Sequence, residues 1–388
     1  MARSLNVGLA AAVGTAGAIV MATLLSPVTE AHKAITSPYN YNDHVFPILR
    51  ERCSQCHFEG GPTPMSLMSY KDAIPWAESI REQLVGEKMP PWYPDMLGPA
   101  VKAGHPLPTR ELDVLVTWAV GGTPQGDLAK DPPAFAPPPA QWRGGEPDVK
   151  LAMPAEHTLP AGTMEETKEF LIPTGFTEVK WVKAADLLPG RTSMVRDAVV
   201  SVENGPVLAA WVPGHEATAA PSGAAFKIPA GAQLKLQIHY KKHWQDEQES
   251  RADKSTVGLY LTDAPVSGRE LQSLSINGPT SGESGAEKHT FSGTFKTASR
   301  IVALRPSFDQ AYKTVDVHAI VAGGRRVPLL QLRSAQPQWY RRYWLAEPIE
   351  LPAGAKIEIV ATPAPPDEFA IPVPQRYPLQ VNLDYVAQ

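Results

Sequence analysis

The stretch Asp131-Pro132-Pro133-Ala134-Phe135-Ala136-Pro137-Pro138-Pro139-Ala140, closed by Gly144-Gly145-Glu146-Pro147, divides a chain of 388 residues into two unlike parts. Proline fixes φ and lacks an N–H donor, so this density forbids helix and sets residues 131–147 as a partly extended linker. Forty prolines and 43% hydrophobic residues describe a chain with real cores and many turns, β-rich beyond the linker. The net charge of −4, with no long run of one sign, gives no basis for nucleic-acid binding or a polybasic membrane contact.

Before the linker the apolar period is helical. Phe46, Leu49 and Cys53 predict a helix over residues 43–53, with Pro47 in its first turn, and Ile74, Ala77, Ile80 and Leu84 form one face of a second over 70–85. Leu112, Leu115, Val116 and Ala119 mark a third, with Thr109 as its N-cap and a stop at Gly121-Gly122. Both cysteines fall in Cys53-Ser54-Gln55-Cys56-His57, a C-x-x-C-H motif. Its spacing predicts covalent attachment of one haem c, the thiols adding to the vinyl groups and His57 ligating the iron. A zinc site needs further ligands and a thioredoxin-type motif needs a βαβ context, and the sequence offers neither. In Lys88-Met89-Pro90-Pro91-Trp92 the prolines hold an extended loop, which makes Met89 the candidate sixth ligand. Met65, Met68 and Met96 read as ordinary methionines. Three short helices around one prosthetic group, over residues 39–128, resemble a class I cytochrome c, and His/Met ligation implies electron carriage.

Residues 1–31 read as a secretory signal, with Arg3 in the n-region, an apolar run from Val7 to Leu25 and a cleavage site at Thr29-Glu30-Ala31. A retained anchor is the rival reading. The chain is therefore expected to be exported, in the periplasm or beyond, without a membrane span in the mature protein.

After the linker the period becomes two. Runs at 169–172, 178–182, 198–202, 207–212, 233–240 and 257–261, then at 288–295, 300–304, 314–321, 327–333, 343–349, 355–361 and 379–385, predict two antiparallel β-sandwiches over 148–265 and 266–388. The expected fold is thus multidomain α + β, a small all-α cytochrome c domain followed by two β-sandwiches.

Leu188-Pro189-Gly190-Arg191, Met194-Val195, Trp211-Val212-Pro213-Gly214, Ile228-Pro229-Ala230-Gly231 and Leu236-Gln237-Ile238-His239-Tyr240 occur in that order. Gln338-Trp339-Tyr340 and Glu347-Pro348-Ile349-Glu350-Leu351-Pro352-Ala353-Gly354 continue the series. Residues 148–388 resemble the core of the copper type II, ascorbate-dependent monooxygenases, the peptidylglycine and dopamine hydroxylase family, some of whose bacterial relatives carry a cytochrome c domain. The resemblance implies paired jelly rolls with one copper each. It puts a third ligand of the first copper at His239, but its His-His pair falls on Arg196 and Asp197. At the second site Ser307 and Asp309 stand where imidazoles would, and no methionine follows Met194. Arginine has no lone pair to offer, so these are vestigial positions and copper is not expected.

Other histidines do not repair the loss. His239 and His243 lie four apart on an extended run, about 13 Å from each other. His318 reads as a core or edge residue and His157, His215 and His289 as surface ones, while His32 would be N-terminal after cleavage. Tyr340-Arg341-Arg342-Tyr343-Trp344 reads as an ordinary strand entrance. The expected function is an exported monohaem c-type cytochrome that exchanges electrons with a periplasmic redox partner, its degenerate copper-monooxygenase-like module serving docking or ligand binding. The alternative is a haem-fed copper monooxygenase that remains active.

Overall fold

A computed structural model describes residues 34–91, 94–102, 107–137, 141–214, 217–265, 269–279, 287–365 and 377–388. The signal segment, His32 and His215 lie outside the described residues. The chain is predominantly β, with 41% strand and 15% helix.

The first ten strands are β1 (Val149–Ala152), β2 (His157–Leu159), β3 (Glu165–Pro173), β4 (Lys180–Leu188), β5 (Val195–Val202), β6 (Val207–Trp211), β7 (Phe226–Ile228), β8 (Gln233–Lys241), β9 (Arg251–Asp253) and β10 (Thr256–Thr262). They make sheets ordered β1-β10-β4-β7 and β3-β8-β5-β6, with β2 and β9 paired apart. The next eight are β11 (Gln272–Asn277), β12 (His289–Thr294), β13 (Ser299–Ser307), β14 (Tyr312–Val321), β15 (Arg325–Ala335), β16 (Tyr343–Leu351), β17 (Lys356–Pro363) and β18 (Gln380–Ala387). Their sheets run β11-β18-β13-β16 and β12-β17-β14-β15. All ladders within the sheets are antiparallel. Alternating apolar residues of β4, β5, β8 and β10 fill one core and those of β13, β14, β17 and β18 a second. The first core also takes in Val302, Ala303, Trp344 and Val386, so the two sheet pairs meet on apolar side chains.

The expected small all-α cytochrome domain is corrected here. Among the described residues only two helices exceed eight residues, Ala77–Val85 and Thr109–Val120. The helix expected over 43–53 is a π-type turn at Tyr41–Val45 leading into Phe46–Arg52, and the one expected over 70–85 is broken into Tyr70–Ala73, a 3-10 turn at Ile74–Trp76 and Ala77–Val85. Pro75, which has no N–H to give its preceding turn, sits at that break. Pro108, not Thr109, occupies the cap of the last helix.

These helices share a core around Tyr41, Leu49, Leu115 and Trp118. They are nevertheless not a freestanding unit, because the segment after Met89 leaves them for the sheets. Pro94 bridges to Leu332 and Val101 to Leu345. Asp95 N donates to Gln331 O at 2.8 Å, Lys102 N to Trp344 O at 2.7 Å and Ala346 N to Ala100 O at 2.8 Å. This extended segment, residues 94–102, lies along β15 and β16, the edge strands of the second sheet pair. The linker is anchored too: Phe135 packs on Phe58, with ring centroids 6.4 Å apart, and Tyr260 Oη donates to Gly145 O at 2.8 Å.

Candidate functional site

His239 is the centre of a buried polar cluster that joins sequence-predicted residues. It lies on β8 opposite Asp197 on β5, and the register shifts between Val195 and Asp197, so Arg196 is the extra residue of a β-bulge. A bulge re-aims the side chains beside it. Asp197 Oδ2 faces His239 Nδ1 at 3.0 Å, and Arg196 turns back to donate from Nη1 to Ser193 O at 2.9 Å. From β3, on the other side of β8, Glu165 Oε1 meets His239 Nε2 at 2.7 Å, while its Oε2 accepts from Lys241 Nζ at 2.8 Å.

The electrostatics follow from burial and pairing. Burial opposes ionisation of Glu165, yet hydrogen bonds from Lys241 and His239 outweigh it and hold this carboxyl below its usual range. Burial pulls the Arg196 guanidinium down to about 10, with the nearby Glu165 and Asp197 acting the other way. Both ring nitrogens of His239 thus face carboxylates, Asp197 at Nδ1 and Glu165 at Nε2.

The Cys53–His57 turn docks beside this cluster. Cys53 closes the Phe46–Arg52 helix as its C-cap, and Cys56 Sγ lies 3.9 Å from Pro213 O. Gly214, at φ +79°, takes the left-handed backbone that favours glycine, and a Cβ there would press on the Gln55 side chain. Burial pushes the Cys53 thiol up to about 12 and the Cys56 thiol up to about 11. Burial likewise lowers His57, whose Nδ1 is 3.3 Å from Thr63 Oγ1. His243 packs against the backbone at Gly61 and Pro62, and its Nε2 has no hydrogen-bond partner among the described residues.

Met89 faces elsewhere. With Leu84, Pro91, Leu107, Phe308, Trp339 and Tyr343 it lines a cleft of about 260 Å³ between the helical segment and the second sheet pair. Lys88, Arg333 and Gln336 contribute polar groups to the same cleft. Arg333 Nε holds Asp95 Oδ2 at 2.6 Å, and Ser334 Oγ donates to Gly86 O at 2.8 Å, so the two walls are tied together.

Ser307 and Asp309 are not brought to a common centre. Ser307 Oγ donates to Pro378 O at 2.7 Å, and Asp309 Oδ1 accepts from Tyr312 Oη at 2.8 Å. His157, expected at the surface, is part-buried between Phe170 and Tyr240 and meets Glu166 at 3.2 Å. His318 Nδ1 has no hydrogen-bond partner among the described residues, and burial lowers the pKa of that ring. Met68 is in the helical core and Met96 is exposed. Among the described residues no group of three or more His, Cys, Asp or Glu could hold a metal ion.

The expectations of a haem c and of a cytochrome–copper-monooxygenase relative are corrected on these grounds. The Cys-x-x-Cys-His turn is packed against Pro213 and Gly214 rather than set in an all-α domain, and Met89 lines a cleft against the second sheet pair. Sequence reasoning missed Glu165 altogether. Its distance of 74 positions from His239 leaves no local pattern to find, and only the pairing of β3 with β8 joins them.

No family model matches the chain, and no curated protein does. Among solved structures, an allantoicase matches at 9% identity over 56% of this chain and 77% of its own, with a TM-score of 0.20. A Paenibacillus xanthan lyase matches at 10% identity over 66% of this chain and 27% of its own, with a TM-score of 0.18. The tandem CBM22 domains of Paenibacillus barcinonensis Xyn10C match at 12% identity over 62% of this chain and 98% of their own, with a TM-score of 0.17. Likeness this slight carries no argument about fold or function. Among the described residues no helix is long and apolar enough to cross a membrane.

Proposed function

We propose that the chain is an exported binding module rather than an enzyme, and that it takes a small, partly apolar ligand in the cleft beside Met89. The observation that supports this reading is the cleft itself, about 260 Å³ with thioether, proline and aromatic walls and a few polar groups. Apolar walls with sparse polar groups are the usual composition of a small-molecule site. The signal-type segment at residues 1–31 supports export. Electron transfer rested on the haem and forms no part of this proposal.

The test is titration of the full chain with 1-anilinonaphthalene-8-sulfonate, followed by its emission. Saturable binding of one dye is expected, weakened at least about ten-fold by Met89→Glu, which puts a charge on the apolar wall, and by Gln336→Trp, which fills the cleft. Undiminished binding in both variants, with their far-ultraviolet circular dichroism unchanged, would place the dye elsewhere and overturn the reading.

A further inference from the structure

Arg305 is a guanidinium enclosed between the two sheet pairs, 3% exposed on β13. Ala303, two residues before it, packs into the first core, so the alternation of the strand turns Arg305 to that same face. Its Nε and Nη1 have no hydrogen-bond partner among the described residues. Its Nη2 stands 3.8 Å from Asp384 Oδ1, beyond hydrogen-bond distance. The acceptors around it serve other donors. Asp384, wholly buried on β18, accepts from Arg342 Nε at 2.7 Å through Oδ2 and from Ser273 Oγ through Oδ1. Asn382, the residue paired with Arg305 on β18, takes the Ser275 hydroxyl on its amide oxygen at 2.6 Å. Arg342 gives its remaining nitrogens to Leu208 O and Val207 O, so it is satisfied where Arg305 is not.

We propose that Arg305 anchors a buried anion site that takes one small carboxylate, of the size of formate or acetate, between the sheet pairs. Two buried guanidiniums, Arg305 and Arg342, share the single carboxylate of Asp384, which leaves one positive charge in surplus. Tyr340 does not balance it, because burial raises that phenol against the pull of both guanidiniums and keeps it neutral. An unpaired charge is among the costliest groups a protein can bury, and a monoanion at Arg305 would bring the cluster to neutrality. A dianion would only reverse the surplus and press on Asp384. Carboxylate oxygens match the guanidinium N–H donors in both charge and geometry, and enclosure limits the occupant to a small one. Neither Arg305, Arg342 nor Asp384 lines the Met89 cleft, so this site stands apart from the binding reading given above.

Isothermal titration of the full chain with sodium formate and sodium acetate, after dialysis into a HEPES buffer free of chloride and carboxylates, reads the site. Saturable binding at a single site is expected, weakened at least about ten-fold by Arg305→Gln and tightened by Asp384→Asn, which leaves both guanidiniums without their shared carboxylate. A carboxylate retained through dialysis would mute the heat, and anion chromatography of the urea-unfolded chain would then find it in stoichiometric amount. No saturable heat together with no released carboxylate overturns the site, as does binding that survives Arg305→Gln. Saturation by sodium chloride or sodium phosphate, with neither carboxylate bound, overturns the assignment of the ligand class. Should Arg305→Gln fail to fold, the native titration and the Asp384→Asn shift still decide.

Discussion

Arg342 shows how much one side chain can hold. It is 5% exposed, and its Nε donates to Asp384 Oδ2 at 2.7 Å, its Nη1 to Leu208 O at 2.7 Å and its Nη2 to Val207 O. Its guanidinium carbon lies 5.0 Å from the Phe226 ring and 5.2 Å from Trp344. The fork thus binds strand β6 of the first sheet pair to β18 of the second. Arg342→Met should cost about 3–5 kcal/mol, because it leaves the wholly buried Asp384 with Arg305, 3.8 Å away, as its remaining cation. Urea denaturation checks this, and a loss below about 1 kcal/mol would show that the pair is dispensable. From sequence, Tyr340-Arg341-Arg342-Tyr343-Trp344 is a strand entrance, and Tyr343 does open β16. The role of Arg342 is invisible there, since its carbonyl acceptors are 134 and 135 positions away and Asp384 is 42 positions away. Likewise Asp197 and His239 could be named from sequence, while Glu165 and the turn of Arg196 back to Ser193 O needed the strand pairing and the bulge.

Strands that alternate apolar and polar residues over five or more positions, such as β8 and β14, are legible because period two on a half-buried surface has few rivals. Strands β2, β7 and β9 span three residues each and carry no period to detect. The edge-covering segment 94–102 is harder still, since its prolines read only as loop. Its backbone hydrogen bonds nevertheless cover edges that would otherwise be open to another chain. Lys102→Pro removes the 2.7 Å bond to Trp344 O and should destabilise the chain by roughly 1–3 kcal/mol while increasing self-association. Sedimentation velocity across a concentration series reads the second effect; a variant that stays as monodisperse as the native chain at every concentration shows that this edge needs no cover. The neighbouring Arg333–Asp95 pair is half-exposed on the arginine side, so Arg333→Ala should cost less than about 1 kcal/mol.

For the whole molecule, two carboxyls on the first sheet pair respond to pH in opposite directions. Asp186, raised by burial from 3.8 to about 6, adds stability that is fully present below its unfolded value and is lost as pH rises through the folded one. That loss should reach roughly 2–3 kcal/mol between pH 4 and pH 7, since each ten-fold difference in proton affinity between the folded and unfolded chain is worth about 1.4 kcal/mol. Glu165 works the other way. Its carboxyl is held below its ordinary range by Lys241 and His239 against burial, so its contribution is present above the unfolded value and disappears as pH falls through the folded one. Because the first core runs without a break into Trp344 and Val386 of the second sheet pair, these local contributions should appear in one global transition rather than in two. Urea midpoints of the native chain, Asp186→Asn and Glu165→Gln between pH 3 and pH 8 test both. Asp186→Asn should gain relative to native as pH rises from 4 to 7, and the deficit of Glu165→Gln relative to native should shrink as pH falls below about 4.5. Parallel pH curves for all three proteins would mean that neither carboxyl is coupled to folding, whatever its surroundings.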